Sequence, residues 1–222
     1  MNMTPEITAG IDKNIPTAER ILTVATACFA RKGYHGSSMR EIAGEAGISI
    51  ATLYYYAQNK DDLYRQVFER QYLEENELIG RILQGIGENI VQNPAALRAF
   101  LYKLVDALID RSIANPDIVR LWTWRWLERP EKSEDIEAQY SIPLYQMVES
   151  LLEKACTAGV IKPGLANLSI LSHSFTWLHY GYFGLGQLTF GGHSSVSARQ
   201  QNEEEFRTFA HQFIRRMLNF SE

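Results

Sequence analysis

The segment from Ser38 to Lys60 carries closely spaced hydroxyl, phenolic and cationic side chains. Such groups bind phosphate oxygens through hydrogen bonds and charge, and the free backbone amides at helix starts add to that binding. Ser38, Ser49 and Asn59 each stand where a helix is predicted to begin, and Lys60 adds a full charge at one of these starts. The segment therefore has the groups needed to hold a polyanion.

Three consecutive tyrosines, Tyr54 to Tyr56, lie inside this segment. Successive helical residues point about 100° apart, so three neighbours cannot share one buried face. We expect Leu53, with Tyr56 as a second candidate, to face the core, and we expect Tyr54 and Tyr55 to face outward. An alternative in which all three rings pack against neighbouring helices stays open.

The elements that position these residues are helical. Apolar residues recur with helical spacing along nearly the whole chain and no alternating strand pattern is evident, which predicts an all-α fold of about nine helices. Capping residues and first-turn prolines mark the helix starts. Helices are expected to begin near Ala18, Ser38, Ser49, Asn59, Pro94, Pro116 and Asn202, and Pro143 is expected to start or kink a further helix through Ala158.

The second and third predicted helices, with the turn at Ala46-Gly47-Ile48 between them, have the proportions of a helix-turn-helix. Small Ala43 permits a close crossing of the two helices, and Gly47 supplies the turn. Ile42, Ile48 and Leu53 can fill the space between them. Helical hairpins that do not bind DNA also show this pattern.

The stretch from Arg20 to Tyr64 resembles the N-terminal domain of the TetR family of bacterial transcriptional regulators. The resemblance rests on Gly33-Tyr34, Ala46-Gly47-Ile48, Thr52-Leu53-Tyr54 and Lys60-Asp61-Asp62-Leu63. The remainder of the chain matches the family only in helical character and length. With this resemblance we expect a flexible arm over residues 1–16, a DNA-binding domain over 17–64 and a helical ligand-binding and dimerisation domain over 65–222.

Several residues of the expected DNA-binding domain are candidates for contact with a duplex. The full set is Ser38, Arg40, Ser49, Ile50, Ala51, Thr52, Tyr54, Tyr55 and Lys60. The resemblance implies phosphate contacts for Thr52 and Tyr54. Arg40 is the best candidate for reading a guanine, whereas Ile50 and Ala51 can contact only apolar groups such as thymine methyls.

The resemblance implies a ligand-responsive, sequence-specific DNA-binding regulator. It is expected to be a repressor that binds a palindromic operator as a homodimer and is released by a small apolar or aromatic effector. Its partners would be double-stranded DNA, the effector and a second copy of the chain, without a cofactor or metal. The alternatives are a helical small-molecule-binding or adaptor protein without DNA binding and, more remotely, an enzyme.

The region after Tyr72 is rich in aromatic residues, which favours an apolar pocket containing a few polar groups. Plain core packing is the alternative for each ring. The pocket candidates are Tyr102, Trp122, Arg125, Trp126, Tyr145, Gln146, His173 and Trp177, with His179 as a further polar group. Subunit pairing is expected along residues 168–190 and the last helix. The pairing candidates are Leu178, Gly181, Leu185, Phe206, Phe209, Phe213 and Met217.

The charge pattern is compatible with a nucleic-acid partner although the net charge is −4. Five basic and three acidic residues fall between Thr17 and Lys60, so the negative charge lies elsewhere in the chain. The residues from Pro163 to Ala198 carry no charge, but their histidines, hydroxyls and glycines favour a buried helix over a membrane span.

Catalysis and metal binding find little support in the sequence. The H-E-x-x-H, E-x-x-H and G-x-S-x-G motifs do not occur. Cys28 and Cys156 both fall in helical stretches and are predicted to be core thiols. Two isolated cysteines indicate a reducing compartment, so we expect a cytoplasmic protein. Because the catalytic motifs are missing, we also expect that it is not an enzyme.

Overall fold

A computed structural model describes residues 15–84, 89–128, 135–162, 167–185 and 196–220. Within these ranges the chain forms nine α-helices and no strand, apart from one isolated bridge between Ile161 and Phe220. The predicted all-α class is confirmed. The helices are α1 (Thr17–Lys32), α2 (Met39–Glu45), α3 (Ile50–Tyr56), α4 (Lys60–Gln84), α5 (Pro94–Ala114), α6 (Pro116–Glu128), α7 (Ile142–Thr157), α8 (Leu168–Gly184) and α9 (Val196–Leu218).

The capping residues explain why the first helices begin where they do. Ser38, Ser49 and Asn59 each accept a hydrogen bond from the backbone amide three residues later, at 3.2, 3.0 and 2.9 Å. Asn93 does the same for α5, with Pro94 as the first helical residue. Each such cap contributes about 1 kcal/mol and fixes the register of its helix.

The described residues pack around two hydrophobic cores. The first core joins α1 to α4 with α6. Its rings make edge-to-face contacts in the order Phe29, Tyr64, Phe68 and Trp122, with centroids 4.6 to 4.9 Å apart. The second core is built mainly from α5, α7, α8 and α9. Helix α6 therefore belongs to the core of the helix-turn-helix unit, while α5 beside it belongs to the body.

The last helix differs from the prediction. It begins at Val196, six residues before the expected start at Asn202, so the acidic run from Glu203 to Glu205 lies beyond its first turn. Residues 1–14 of the expected arm and residues 186–190 of the expected pairing segment lie outside the described residues. No helix in the described ranges combines the length and apolarity that crossing a bilayer requires.

Candidate DNA-binding surface and ligand cavity

The turn between α2 and α3 is fixed by its backbone. Gly47 has a φ of 66°, a left-handed conformation that glycine adopts without strain. The Ile48 amide donates to the Ala43 carbonyl at 3.0 Å, which closes the turn. Ile42 and Leu53 are fully buried between the two helices. The exposed side of α3 is thus held in one orientation by its neighbours.

The three tyrosines of α3 differ in exposure. Tyr55 is 85% exposed and Tyr54 is 51% exposed, whereas Leu53 is completely buried. This agrees with the predicted directions for these three residues. Tyr56 is 37% exposed, so its ring is not a core residue, and the alternative in which all three rings are packed is wrong. Helix α3 therefore carries three tyrosines that are each at least 37% exposed.

The other candidates on this surface come from the starts of α2 and α3. Arg40, Ile50 and Ala51 are exposed. Ser49 Oγ lies 2.7 Å from Thr52 Oγ1, so one hydroxyl of the pair can donate to the other and leave the second hydrogen for an external acceptor. We call this set of candidates the α3 surface: Ser38, Arg40, Ser49, Ile50, Ala51, Thr52, Tyr54 and Tyr55.

Lys60 is placed differently from the other candidates. Its Nζ donates to the carbonyls of Tyr34 and Ser37, at 2.8 and 3.0 Å, and lies 4.2 Å from the centre of the Tyr34 ring. An ammonium has three donors, so one N–H remains for a phosphate. In this structure Lys60 ties the start of α4 to the loop between α1 and α2, which supports the position of the α3 surface.

The two cations at the end of α1 are neutralised within the protein. Arg31 donates to both carboxylate oxygens of Glu45, at 2.7 and 2.9 Å, and Lys32 pairs with Glu41. Arg40, in contrast, makes no ion pair within the described ranges. It is therefore the side chain on α2 whose full charge is available to a polyanion.

Cys28 lies beside these ion pairs. Its Sγ is 3.4 Å from Glu45 Oε2, and one ligand atom each from Cys28, Glu41 and Glu45 fall within 4.8 Å of one another. Both carboxylates already have a cationic partner, and burial raises the pKa of the Cys28 thiol to about 12. The thiol therefore stays protonated, as expected for the core thiol that the sequence predicts.

A cavity of about 160 Å³ lies in the helical body. Its walls come from α4 to α9 and are mainly apolar. Six of the apolar lining residues are Leu101, Leu104, Val105, Leu108, Phe175 and Phe213. Two residues of the first turns of α6, Ile118 and Val119, also line it, so α6 connects the cavity with the core of the helix-turn-helix unit.

One side of the cavity is polar. Arg111 donates to Glu75 at 3.2 Å, and Ser112 Oγ lies 2.9 Å from His179 Nε2. Burial raises the pKa of the Glu75 carboxyl, and it lowers the pKa of His179 to about 4. At neutral pH the imidazole is therefore uncharged. Tyr145 completes this side, with its hydroxyl 3.0 Å from Thr176 Oγ1.

Comparison with known proteins gives the family that the sequence resembles, the TetR regulators. Residues 21–67 match the sequence profile of bacterial regulatory proteins of the tetR family. A transcriptional repressor from Streptomyces coelicolor, SCO4008, is 29% identical over 112 residues, and the match covers half of each chain. The fatty acid metabolism regulator protein of Bacillus subtilis is 30% identical over 154 residues, covering 68% of this chain and 73% of the relative.

The chain belongs to the TetR family of bacterial regulatory proteins. The two named relatives are a transcriptional repressor and a fatty acid metabolism regulator. Among solved structures, Salmonella enterica GusR superimposes with a TM-score of 0.64 at 19% identity, over 94% of this chain and 98% of GusR. At that identity the likeness shows a shared fold.

The cavity of this TetR-family protein does not coincide with the pocket predicted from its aromatic residues. Of the eight candidates only Tyr145 lines the cavity, together with the further candidate His179. Trp122 is in the first core against Phe68, and Arg125 is buried with its guanidinium 2.6 Å from Glu137.

The other five candidates do not line the cavity. Tyr102 stacks on His211 with ring centroids 4.1 Å apart, and Trp126 packs between Trp122 and Trp177. Gln146, His173 and Trp177 are exposed, and Trp177 is 61% exposed. The number of aromatic residues did not indicate the lining of the cavity, because most of these rings fill the first core or face solvent.

The predicted pairing residues of this TetR-family chain fall into two groups. Leu178, Leu185 and Phe209 are 40, 71 and 45% exposed, and a Cβ added at Gly181 would meet open space. Phe206 is buried and Phe213 lines the cavity, so both side chains point into the protein. Met217 is partly buried. Residues 206, 210, 213, 214 and 218 form the inward face of α9, which leaves Phe209 outside.

The polar residues of the cavity were largely missed. Ser112 continues the predicted apolar face of α5 one turn after Leu108, and Arg111 lies on the same side. Polar residues that interrupt an apolar face at helical spacing indicate either a buried network or a site. Glu75, on α4, could not be connected with them from the sequence.

Proposed function

We propose that this chain is a homodimeric repressor of the bacterial cytoplasm that binds a palindromic operator through its α3 surface. A small apolar or aromatic effector in the cavity releases it from DNA. The observation that carries the proposal is the exposure of Tyr54 and Tyr55 beside fully buried Leu53, on a helix held by the turn at Gly47. Neighbouring exposed aromatic rings on a rigid helix form a surface that a partner can cover.

Dimerisation is supported by the apolar surface of α8. Ile170, Trp177, Leu178 and Leu185 recur at helical spacing and are 40 to 71% exposed. Phe209 of α9 adds a further exposed apolar side chain. A second copy of the chain would cover these residues in a twofold arrangement and bring two α3 helices to one side of the dimer. Adjacent half-sites would then lie roughly 34–36 Å apart.

Helix α6 offers a physical route from the cavity to the α3 surface. Its first turns carry the cavity residues Ile118 and Val119. Farther along, Trp124 Nε1 donates to the Ala30 carbonyl at 3.1 Å, and the Tyr34 amide donates to Glu128 at 2.5 Å. An effector that favours a shifted α6 would move the end of α1 and thus the helix-turn-helix units. Its effect is limited by its difference in affinity for the two states.

The function is tested by selecting bound sequences from a random pool of duplexes. We expect inverted repeats with half-sites one helical turn apart, a dimeric mass in sedimentation, and release by an apolar or aromatic compound. A strictly monomeric protein, or equal weak binding to every duplex at moderate salt, would rule the proposal out.

The role of α6 can be tested without knowing the effector. The substitution Leu108→Trp fills the cavity from α5 and should mimic an effector, lowering operator affinity about tenfold, within the usual range of coupling energies. Adding Glu128→Ala should recover at least half of that loss, in free energy, because the link from α6 to the Tyr34 amide is gone. Affinity is measured by fluorescence anisotropy with a labelled operator.

The matched control is Ala99→Trp, which adds the same ring at an exposed position of the same helix. It should leave operator affinity within about twofold of the parent, as expected for a surface substitution. Strictly additive effects of Leu108→Trp and Glu128→Ala would contradict transmission through this contact.

A further inference from the structure

The polar side of the cavity has an unequal supply of donors and acceptors, and this limits which effectors can bind. The inference rests on the proposed role of the cavity as the effector site. It concerns the charge of the effector, which neither the fold nor the relatives' names specify.

The guanidinium in the cavity wall is already committed to acceptors within the protein. Arg111 is the sole cation among the described residues that line the cavity. Its NH1 donates to Glu75 Oε2 at 3.2 Å, and its NH2 donates to the backbone carbonyl and the side-chain oxygen of Gln71, at 3.0 and 3.1 Å. Glu74 also lies 3.6 Å from NH2. Because the guanidinium is held between two carboxylates and an amide, it has no open pair of donors for a ligand carboxylate.

Acceptors, in contrast, are available. Within the described ranges Glu75 receives a hydrogen bond on Oε2 alone, and Oε1 has no donor. About a fifth of the Glu75 side chain remains accessible, and the residue lines the cavity. A carboxylate that is already short of water is a strong acceptor for a cationic or neutral donor.

His179 supplies a second acceptor, and its tautomer can be worked out. Ser112 Oγ donates its single hydrogen to the Leu108 carbonyl at 2.9 Å, so towards His179 Nε2 it must accept. Nε2 therefore carries the hydrogen of the neutral ring, and Nδ1 carries a lone pair. His179 is 95% buried, and its Nδ1 has no hydrogen-bond partner within the described ranges.

We infer that the cavity takes a compact, ring-sized apolar molecule bearing a hydrogen-bond donor, best a protonated amine, and that it rejects the carboxylate of the same hydrocarbon. The volume of about 160 Å³ suits one aromatic ring, since an engineered cavity of roughly 150 Å³ takes benzene. An amine can donate to Glu75 Oε1, and the unpartnered His179 Nδ1 belongs to a second residue of the same cavity wall. A carboxylate would lose its water beside the Glu75 carboxylate, and the Arg111 guanidinium would offer it no open pair of donors.

The test uses four probes that share a phenyl ring on a short chain: 2-phenylethylamine, 2-phenylethanol, ethylbenzene and phenylacetate. Binding to the full-length protein without DNA is measured by isothermal titration calorimetry at neutral pH. We expect the amine to bind tightest, the alcohol next and ethylbenzene third. Phenylacetate should bind at least roughly thirtyfold more weakly than the amine, since a charge-assisted hydrogen bond is replaced by like-charge repulsion.

Two variants separate the charge of the cavity from general stability. Glu75→Gln should reduce the preference for the amine over ethylbenzene about tenfold, because the charge-assisted bond becomes a neutral one. Glu74→Gln removes the neighbouring carboxylate, which does not line the cavity, and should leave the order of the four probes unchanged. Thermal unfolding followed by circular dichroism confirms that both variants are folded.

Three results would overturn the inference: phenylacetate binding as tightly as the amine, no binding by any of the four probes, or equal effects of Glu75→Gln and Glu74→Gln. Operator affinity is measured separately with each probe. If the four probes bind in the expected order of affinity but none changes operator affinity, the inferred ligand class holds, whereas the proposed role of the cavity as the effector site is wrong. If carboxylates alone release the operator, the inferred ligand class is wrong, whereas the proposed regulatory function still holds.

Discussion

Replacing Tyr55 with glutamate is expected to lower operator affinity at least about a hundredfold while leaving the free energy of unfolding within about 0.5 kcal/mol of the parent. Tyr55 is 85% exposed at the centre of the α3 surface, so the fold does not depend on its ring. In the proposed complex the new carboxylate would face phosphates and base edges. Like-charge contact of this kind costs several kcal/mol.

The matched control places the same charge on the body of the protein. Ala99→Glu introduces a carboxylate at an exposed position of α5 and changes the net charge equally. Its operator affinity should fall less than about threefold, since exposed charges beyond a Debye length are screened. Tyr55→Phe then separates the hydroxyl from the ring. If Tyr55→Glu and Ala99→Glu weaken binding to the same degree, the α3 surface does not contact the duplex.

Removing the carboxylate of Glu137 is expected to destabilise the protein by about 3 kcal/mol. The side chain of Arg125 is 3% exposed, and its Nε and NH2 donate to the two oxygens of Glu137 at 2.9 and 2.6 Å. Glu137→Ala takes away two carboxylate acceptors from a guanidinium that stays charged in the interior. The bond also joins α6 to the π-helical turn at Glu137–Ser141 before α7, so its loss should loosen the same helix that lines the cavity.

The effect is measured by urea unfolding at a fixed protein concentration, because the apparent stability of a dimer depends on concentration. Asp117→Ala provides the comparison, since Asp117 pairs with Arg120 at 3.3 Å on the surface of the same helix. Half of the Arg120 side chain is exposed, and such pairs contribute little to stability. Equal losses from the two substitutions would show that the burial of Arg125 does not set the strength of its pair.

The amino-acid sequence alone determined the helices and the helix-turn-helix unit. Ser38, Ser49, Asn59 and Asn93 cap helices because their side chains reach an amide two or three residues later, which is a local property. The outward direction of Tyr54 and Tyr55 likewise follows from the rotation per residue once buried Leu53 is assigned. Such features depend on neighbours within one or two helical turns, so the sequence contains them.

The tertiary structure alone decided where the cavity lies and which groups face it. Glu75 and Arg111 are 36 positions apart in sequence and meet only because α4 packs against α5. The packing angle of two helices depends on every side chain between them, and no short pattern in the sequence encodes it. For the same reason Trp122 and Phe206, which periodicity left open to a pocket or a partner, became core residues, while Leu178 and Phe209 stayed exposed on the outer faces of α8 and α9.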